Sequence, residues 1–257
     1  MKLPRKAQLT QFWLRYRYYW PYAILVAGII IAACILFAPS SAANDGPAKT
    51  VSQSLTDLSS CTDATRFDCY SDYFKSRTTT TSAKTALAEL KQLYDQGDSY
   101  AISQCHQIAH QIGHAGYDKY KTLAHAFESG DTFCWSGYYH GVTERAVAIL
   151  GKDKLKGDAN NICKDLATAK QYSFEHYNCV HGLGHGFMAV DNYNLFDALK
   201  TCDLLTDSWE RASCYGGVFM ENVMVDVRQN GKSDFLKADQ PMYPCTAVEE
   251  SYKYQCY

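Results

Sequence analysis

Ten of the chain's eleven cysteines lie beyond residue 60, and their spacing carries a repeat that constrains the fold more than any other feature. Three segments align on a cysteine followed three residues later by glycine. They are Cys134-Trp-Ser-Gly137-Tyr-Tyr-His140-Gly141, Cys179-Val-His181-Gly182-Leu-Gly184-His185-Gly186 and Cys214-Tyr-Gly-Gly217-Val-Phe-Met220-Glu221. Each reads as the opening of a helix, and each follows a short Ala/Leu-rich helical run, over residues 123–127, 163–169 and 198–205. A second signature, basic-x-x-Cys-Tyr, recurs at Arg66/Cys69/Tyr70, Arg211/Cys214/Tyr215 and Lys253/Cys256/Tyr257. The repeating unit is therefore helix, loop, cysteine, helix, at a period of roughly 30–45 residues.

An even number of cysteines in an oxidising compartment predicts five disulfides. The repeat suggests which ones. Each first-helix cysteine bridges the cysteine of its own second helix, giving Cys61–Cys69, Cys163–Cys179, Cys202–Cys214 and Cys245–Cys256, and Cys105 is left to pair with Cys134. Period-2 runs of β-branched residues are absent beyond a few positions, whereas residues 83–94, 103–117, 141–150 and 216–228 have helical spacing. The expected fold is all-α: a single N-terminal transmembrane helix followed by a disulfide-stapled ectodomain of stacked antiparallel helix pairs, an αα repeat.

The compartment follows from the N-terminus. Residues 23–38 are apolar without a charge, Trp20 and Tyr22 stand at the interface, and Lys2, Arg5, Lys6, Arg15 and Arg17 precede them. Residues 1–21 read as a cytoplasmic basic segment, 22–38 as a membrane anchor, 39–57 as a linker and 58–257 as an extracytoplasmic Cys/His-rich domain. A signal peptide cleaved after Ser41-Ala42-Ala43, or a lipoprotein signal at Cys34, gives the same compartment. The net charge of −2 and the lack of a basic run exclude a nucleic-acid partner.

All eight histidines fall between His106 and His185. His110-Gln-Ile-Gly113-His114 and His181-Gly-Leu-Gly184-His185 share the pattern His-x-x-Gly-His. Residues four apart share a helix face about 5–6 Å apart at Cβ, so two imidazoles can converge on one metal. His140 and Glu144 form a third pair at this spacing, and on the fourth equivalent helix Met220 occupies the register of His140 and His185, followed by Glu221. His110, His114, His140, His181 and His185 are the candidate metal ligands. Glu144 and Glu221 are candidate ligands or general bases. His106 extends the first row and reads equally as ligand or packing; His125 and His176 read as structural. The glycines of these helices fit either close backbone packing or room for a bound group.

With the cysteines in disulfides, an imidazole and carboxylate set suits zinc, copper or iron. The leading expectation is a membrane-anchored metal-binding protein, either a metal-dependent hydrolase or oxidase or a protein that sequesters the metal. The alternative is a non-catalytic αα-repeat module binding an envelope protein, peptide or glycan, with the histidines as interface packing. No phosphate loop, Gly-x-Ser-x-Gly elbow or His-Glu-x-x-His motif occurs.

Overall fold

In five of the helices the first turn is closed by a side-chain oxygen from the preceding residue that accepts a backbone N–H three residues on. The caps are Ser82 to Thr85, Asp98 to Ala101, Thr122 to His125, Ser173 to His176 and Asn194 to Asp197; in a sixth, Asp207 takes both the Trp209 and Glu210 amides. Each cap is worth roughly 0.5–2 kcal/mol. The structure, a computed structural model, describes residues 56–224 and 233–257. The basic segment 1–21, the predicted span 22–38 and all but the end of the linker 39–57 lie outside the described residues. Among those described, no helix is long and apolar enough to cross a membrane, and there is no strand.

Two short 3-10 turns lead into eleven α-helices. These are α1 (Arg66–Thr80), α2 (Ala83–Asp95), α3 (Ser99–Tyr120), α4 (Leu123–Glu128), α5 (Gly137–Leu150), α6 (Lys152–Ile162), α7 (Lys164–Ala169), α8 (Phe174–Val190), α9 (Leu195–Cys202), α10 (Ser208–Val223) and α11 (Glu250–Cys256). Long and short helices alternate after α2. The long ones pack side by side in the order α1, α3, α5, α8, α10. They run parallel, because contacts advance together along both partners: His106 meets Gly137, His110 meets Gly141 and Asp118 meets Arg145. The short helices α4, α6, α7 and α9 return the chain between them.

The five disulfides pair the cysteines as the repeat predicts. Four join a second helix to the segment just before it; Cys105–Cys134 instead joins α3 to the residues that open α5. One detail differs from expectation. Cys134 precedes α5, but Cys179 and Cys214 lie more than a turn inside α8 and α10, because the Ser173 and Asp207 caps start those helices earlier. Likewise the helix read over 216–228 begins at Ser208, and its residues beyond 224 lie outside the described region.

The glycines where the long helices meet are packing devices. A Cβ on Gly113 would stand 2.2 Å from the Tyr138 carbonyl oxygen, and one on Gly141 would stand 2.2 Å from that of His110. The same reciprocal contact recurs between α8 and α10, where a Cβ on Gly184 would meet the Cys214 carbonyl and one on Gly217 the His181 carbonyl. Backbone touches backbone at both interfaces, which only glycine permits. The close approach offsets the roughly 1 kcal/mol that each helical glycine costs, and it brings the histidines flanking each glycine into the space between the helices.

Candidate metal centre

Four of the eight histidines meet at the centre of the helix row. His106 and His110 come from successive turns of α3, His140 from the first turn of α5 and His185 from the middle of α8. One ring nitrogen from each lies within 4.8 Å of all the others. The residues are 2%, 2%, 3% and 0% exposed. This buried four-histidine group could hold a metal ion.

The outer edges of the rings are fixed by oxygen acceptors. His106 Nδ1 donates to the Cys134 carbonyl at 2.8 Å, His110 Nδ1 to Glu144 Oε2 at 3.1 Å and His185 Nδ1 to Glu221 Oε2 at 2.7 Å. A carbonyl and an ionised carboxylate only accept, so Nδ1 carries a hydrogen in each ring, and in a neutral ring Nε2 is then left with its lone pair. The Nε2 atoms face inward. Those of His106 and His110 are 3.0 Å apart, and Nε2 of His185 and Nδ1 of His140 are buried with no hydrogen-bond partner. Metal-bound histidines are held in the same manner, with Nδ1–H on a carboxylate or carbonyl.

Electrostatics keeps the rings of His106, His140 and His185 neutral. Burial, reinforced by His110, pushes His106 down to about 3. Burial and the surrounding imidazoles hold His140 and His185 well below the ordinary histidine range. Burial alone would raise Glu144, but His114 and the hydrogen bonds from His110 and His114 outweigh it and hold this carboxyl well below the carboxylate range. Neutral imidazole is the form that ligates metal.

The Cys134 carbonyl that orients His106 is set by unusual backbone. Cys134, Trp135 and Ser136 have φ of 57°, 52° and 63°. Left-handed conformations cost non-glycine residues roughly 1–2 kcal/mol each. The Cys105 bridge and the hydrogen bond to His106 hold this turn at the mouth of α5.

Of the five histidines read as ligands, the structure brings His110, His140 and His185 together. His114 stands one turn further along α3, half-exposed, with Nε2 2.9 Å from Glu144 Oε2. His181 lies beside the group, its ring centroid 4.8 Å from that of His140 and 5.2 Å from that of His185. Its Nε2 faces Met220 Sδ at 3.3 Å. His106 is the fourth member, and the signal for it was its place one turn before His110. Glu144 and Glu221 touch the outer, Nδ1 edges of the rings. His176 pairs with Glu210 at 2.8 Å, away from the group. Comparison with protein-family models, with curated proteins and with solved structures finds no match.

Proposed function

We propose that this chain is a membrane-anchored, extracytoplasmic metal-binding protein whose ion is held by His106, His110, His140 and His185. One observation carries the reading. Nε2 of His106 and Nε2 of His110 are 3.0 Å apart while both Nδ1 atoms are committed to acceptors. With both rings neutral these two nitrogens are bare and repel at that distance, and the contact is made favourable by a cation between them, either a proton shared as an N–H···N hydrogen bond or a metal ion. Two imidazoles bound to one ion at ~2.0–2.1 Å stand roughly 3–3.4 Å apart. The five disulfides support an oxidising compartment, and the apolar run 22–38 supports the anchor.

In this reading Glu144 and Glu221 are positioning residues that lock the ligating tautomer. Four imidazoles complete the coordination of a tetrahedral ion, which favours holding the metal over hydrolysis, a reaction that needs an open position for water. The test is elemental analysis of the purified full-length chain beside His106→Ala/His185→Ala. About one equivalent of zinc, copper or iron in the wild type, lost in the variant, is the expected result. No metal in the wild type, and a melting temperature indifferent to metal and chelator, would overturn it.

The alternative of a binding module draws on a different feature. Trp135, Tyr172, Phe174 and Tyr177 are exposed aromatics gathered where α5 and α8 begin. A peptide or glycan that quenched Trp135 fluorescence with no metal present would support that reading.

A further inference from the structure

His181 is the conspicuous neighbour of the four-histidine group, and its surroundings are of a different chemical kind. Met220 reaches it from α10, at the register that His140 and His185 occupy on their own helices, and places a thioether sulfur 3.3 Å from Nε2. The opposite edge of the ring is fixed. The Ser213 backbone lies against this edge of the ring. The ring's Nδ1 and Cε1 atoms are what a Cβ on Gly216, in the same turn of α10, would meet. The Tyr177 hydroxyl lies 3.3 Å from Nδ1. With the hydrogen on Nδ1 the ring donates on that edge and Nε2 is the bare nitrogen; with the hydrogen on Nε2 the ring donates to the thioether instead and Nδ1 accepts from Tyr177. In the Nδ1–H tautomer a lone pair on nitrogen faces a lone pair on sulfur in this part-buried contact.

We propose that His181 Nε2 and Met220 Sδ form a soft-metal subsite for monovalent copper beside the four-histidine group. The inference rests on the four-histidine reading and names a metal for it. Imidazole with thioether, lacking any carboxylate or thiolate, selects Cu(I) over zinc or iron. A nitrogen at ~2.0 Å and a sulfur at ~2.3 Å from one ion stand roughly 3.3–3.5 Å apart at angles near tetrahedral, the separation observed.

The position of the pair gives it a purpose. A surface cavity of about 170 Å³ is lined by Tyr177, Trp209, Ser213 and Gly216. Three of these touch His181, so the pair stands between this cavity and the buried histidines. His140 and His185 lie directly behind it. An ion arriving through the cavity meets His181 and Met220 first. Neutral donors bind it without releasing protons, so it can pass inward by exchange of one imidazole for the next. Trp209 and Tyr177 line the approach, and their ring faces favour a cation.

The experiment uses the detergent-solubilised full-length chain loaded without oxygen with Cu(I) as its acetonitrile complex, which needs no reductant and spares the disulfides. X-ray absorption on the wild type is expected to show a sulfur scatterer at about 2.3 Å. Met220→Leu is expected to lose that scatterer and at least tenfold of its Cu(I) affinity, measured against bicinchoninate, while its zinc content and melting temperature stay unchanged. The wild-type spectrum decides the question even if the variant misfolds. A chain that holds metal through the four histidines but shows no Cu–S scattering overturns the subsite alone. A chain that takes up neither zinc nor copper overturns both readings.

Discussion

Replacing Glu221 by leucine separates a metal-positioning carboxylate from an ordinary buried hydrogen-bond partner, because the protein supplies its own control. Glu221 accepts from His185 Nδ1 at 2.7 Å, and Glu210 accepts from His176 Nε2 at 2.8 Å. Both histidines are buried, at 0% and 1% exposure. Leucine has a similar volume and no acceptor. In either variant a buried N–H is left unsatisfied, at a cost of about 1–3 kcal/mol. At roughly 2–4 °C per kcal/mol for a domain of this size, both proteins should melt about 2–12 °C lower. The two variants diverge only in metal binding. Without Glu221, the His185 proton is free to sit on either nitrogen and the ring on either side of its rotamer. Loss of such a support weakens metal binding about 10–100-fold, or ~1.4–2.7 kcal/mol at 1.36 kcal/mol per decade.

The assay is a competition titration of Zn(II) against a chromophoric chelator at neutral pH, on the full chain. Glu221→Leu should shift the competition curve by one to two decades, and Glu210→Leu should leave it within twofold of wild type. Equal metal affinity in Glu221→Leu and wild type would refute the assignment of His185 as a ligand. An equal loss in both variants would show that the effect is stability alone.

The glycine contacts predict opposite outcomes for one substitution. Gly113→Ala and Gly184→Ala each drive a Cβ to 2.2 Å from a backbone oxygen and should cost about 3 kcal/mol in urea unfolding, the upper end for overpacking, whereas Gly157→Ala in α6 meets nothing within 4 Å and should stabilise by about 0.5–1 kcal/mol. Acid should destabilise the metal-free protein in a defined window. His106 at about 3 and His181 at about 4 lie below their unfolded value of 6.5, so the unfolded chain binds more protons; stability is full above pH 6.5 and is lost as pH falls toward 4, by roughly 1.4 kcal/mol per pH unit for each such histidine. Urea midpoints measured with chelator at pH 4 to 7.5 check this, and a flat profile contradicts it. Cys105→Ser/Cys134→Ser should release the left-handed turn that aims the Cys134 carbonyl at His106 and lower metal affinity about tenfold or more; Cys61→Ser/Cys69→Ser, remote from the histidines, should leave affinity unchanged in the same titration.

The all-helical fold and the disulfide pairing were legible in the sequence because both are carried by local spacing. A cysteine in a short helix can reach only the segment next in line, so the repeat and the pairing are one observation. The buried histidine group was legible in part. His-x-x-Gly-His marks a helix face but not which of its histidines points inward. That is decided by the neighbouring helix, through the glycine between them. Gly113 lets α5 dock on α3 such that His106 and His110 share the interior and His114 is carried past it to Glu144. On α8 the same motif, docked on its other side by α10, turns His185 inward and His181 toward Met220. Two identical motifs thus have different occupants because they have different neighbours. The carboxylates were found by their spacing, but their role on the Nδ1 edges needed the tertiary contacts. Nothing in the sequence marks the Cys134 carbonyl as an acceptor, since a backbone group is revealed only by the turn that exposes it.

The arrangement also explains why a row of parallel helices needs so many bridges. Three of the long helices, α3, α5 and α8, contribute one or two rings each to a common point, so each must hold its rotation about its own axis. A slip of one residue turns a helix by about 100° and would swing His140 or His185 out of the group. Apolar packing resists such slips weakly, because Leu, Val and Ile on neighbouring positions substitute for one another with little change in volume. Two features on the buried helices resist them strongly. The backbone contacts at Gly113/Gly141 and Gly184/Gly217 oppose a one-residue slip, since every adjoining position except Gly216 carries a Cβ. The bridges at Cys134, Cys179 and Cys214 tie each helix near its N-terminal end, within about two turns of the histidine or glutamate it presents. Burying several neutral imidazoles forgoes their hydration, a cost that their hydrogen bonds offset in part and that a bound cation would offset further. A chain that bears this cost at one point must fix the helices that meet there: the glycine pairs do so between α3 and α5 and between α8 and α10, and the bridges tie α5, α8 and α10 to α3 or to the segments just before them.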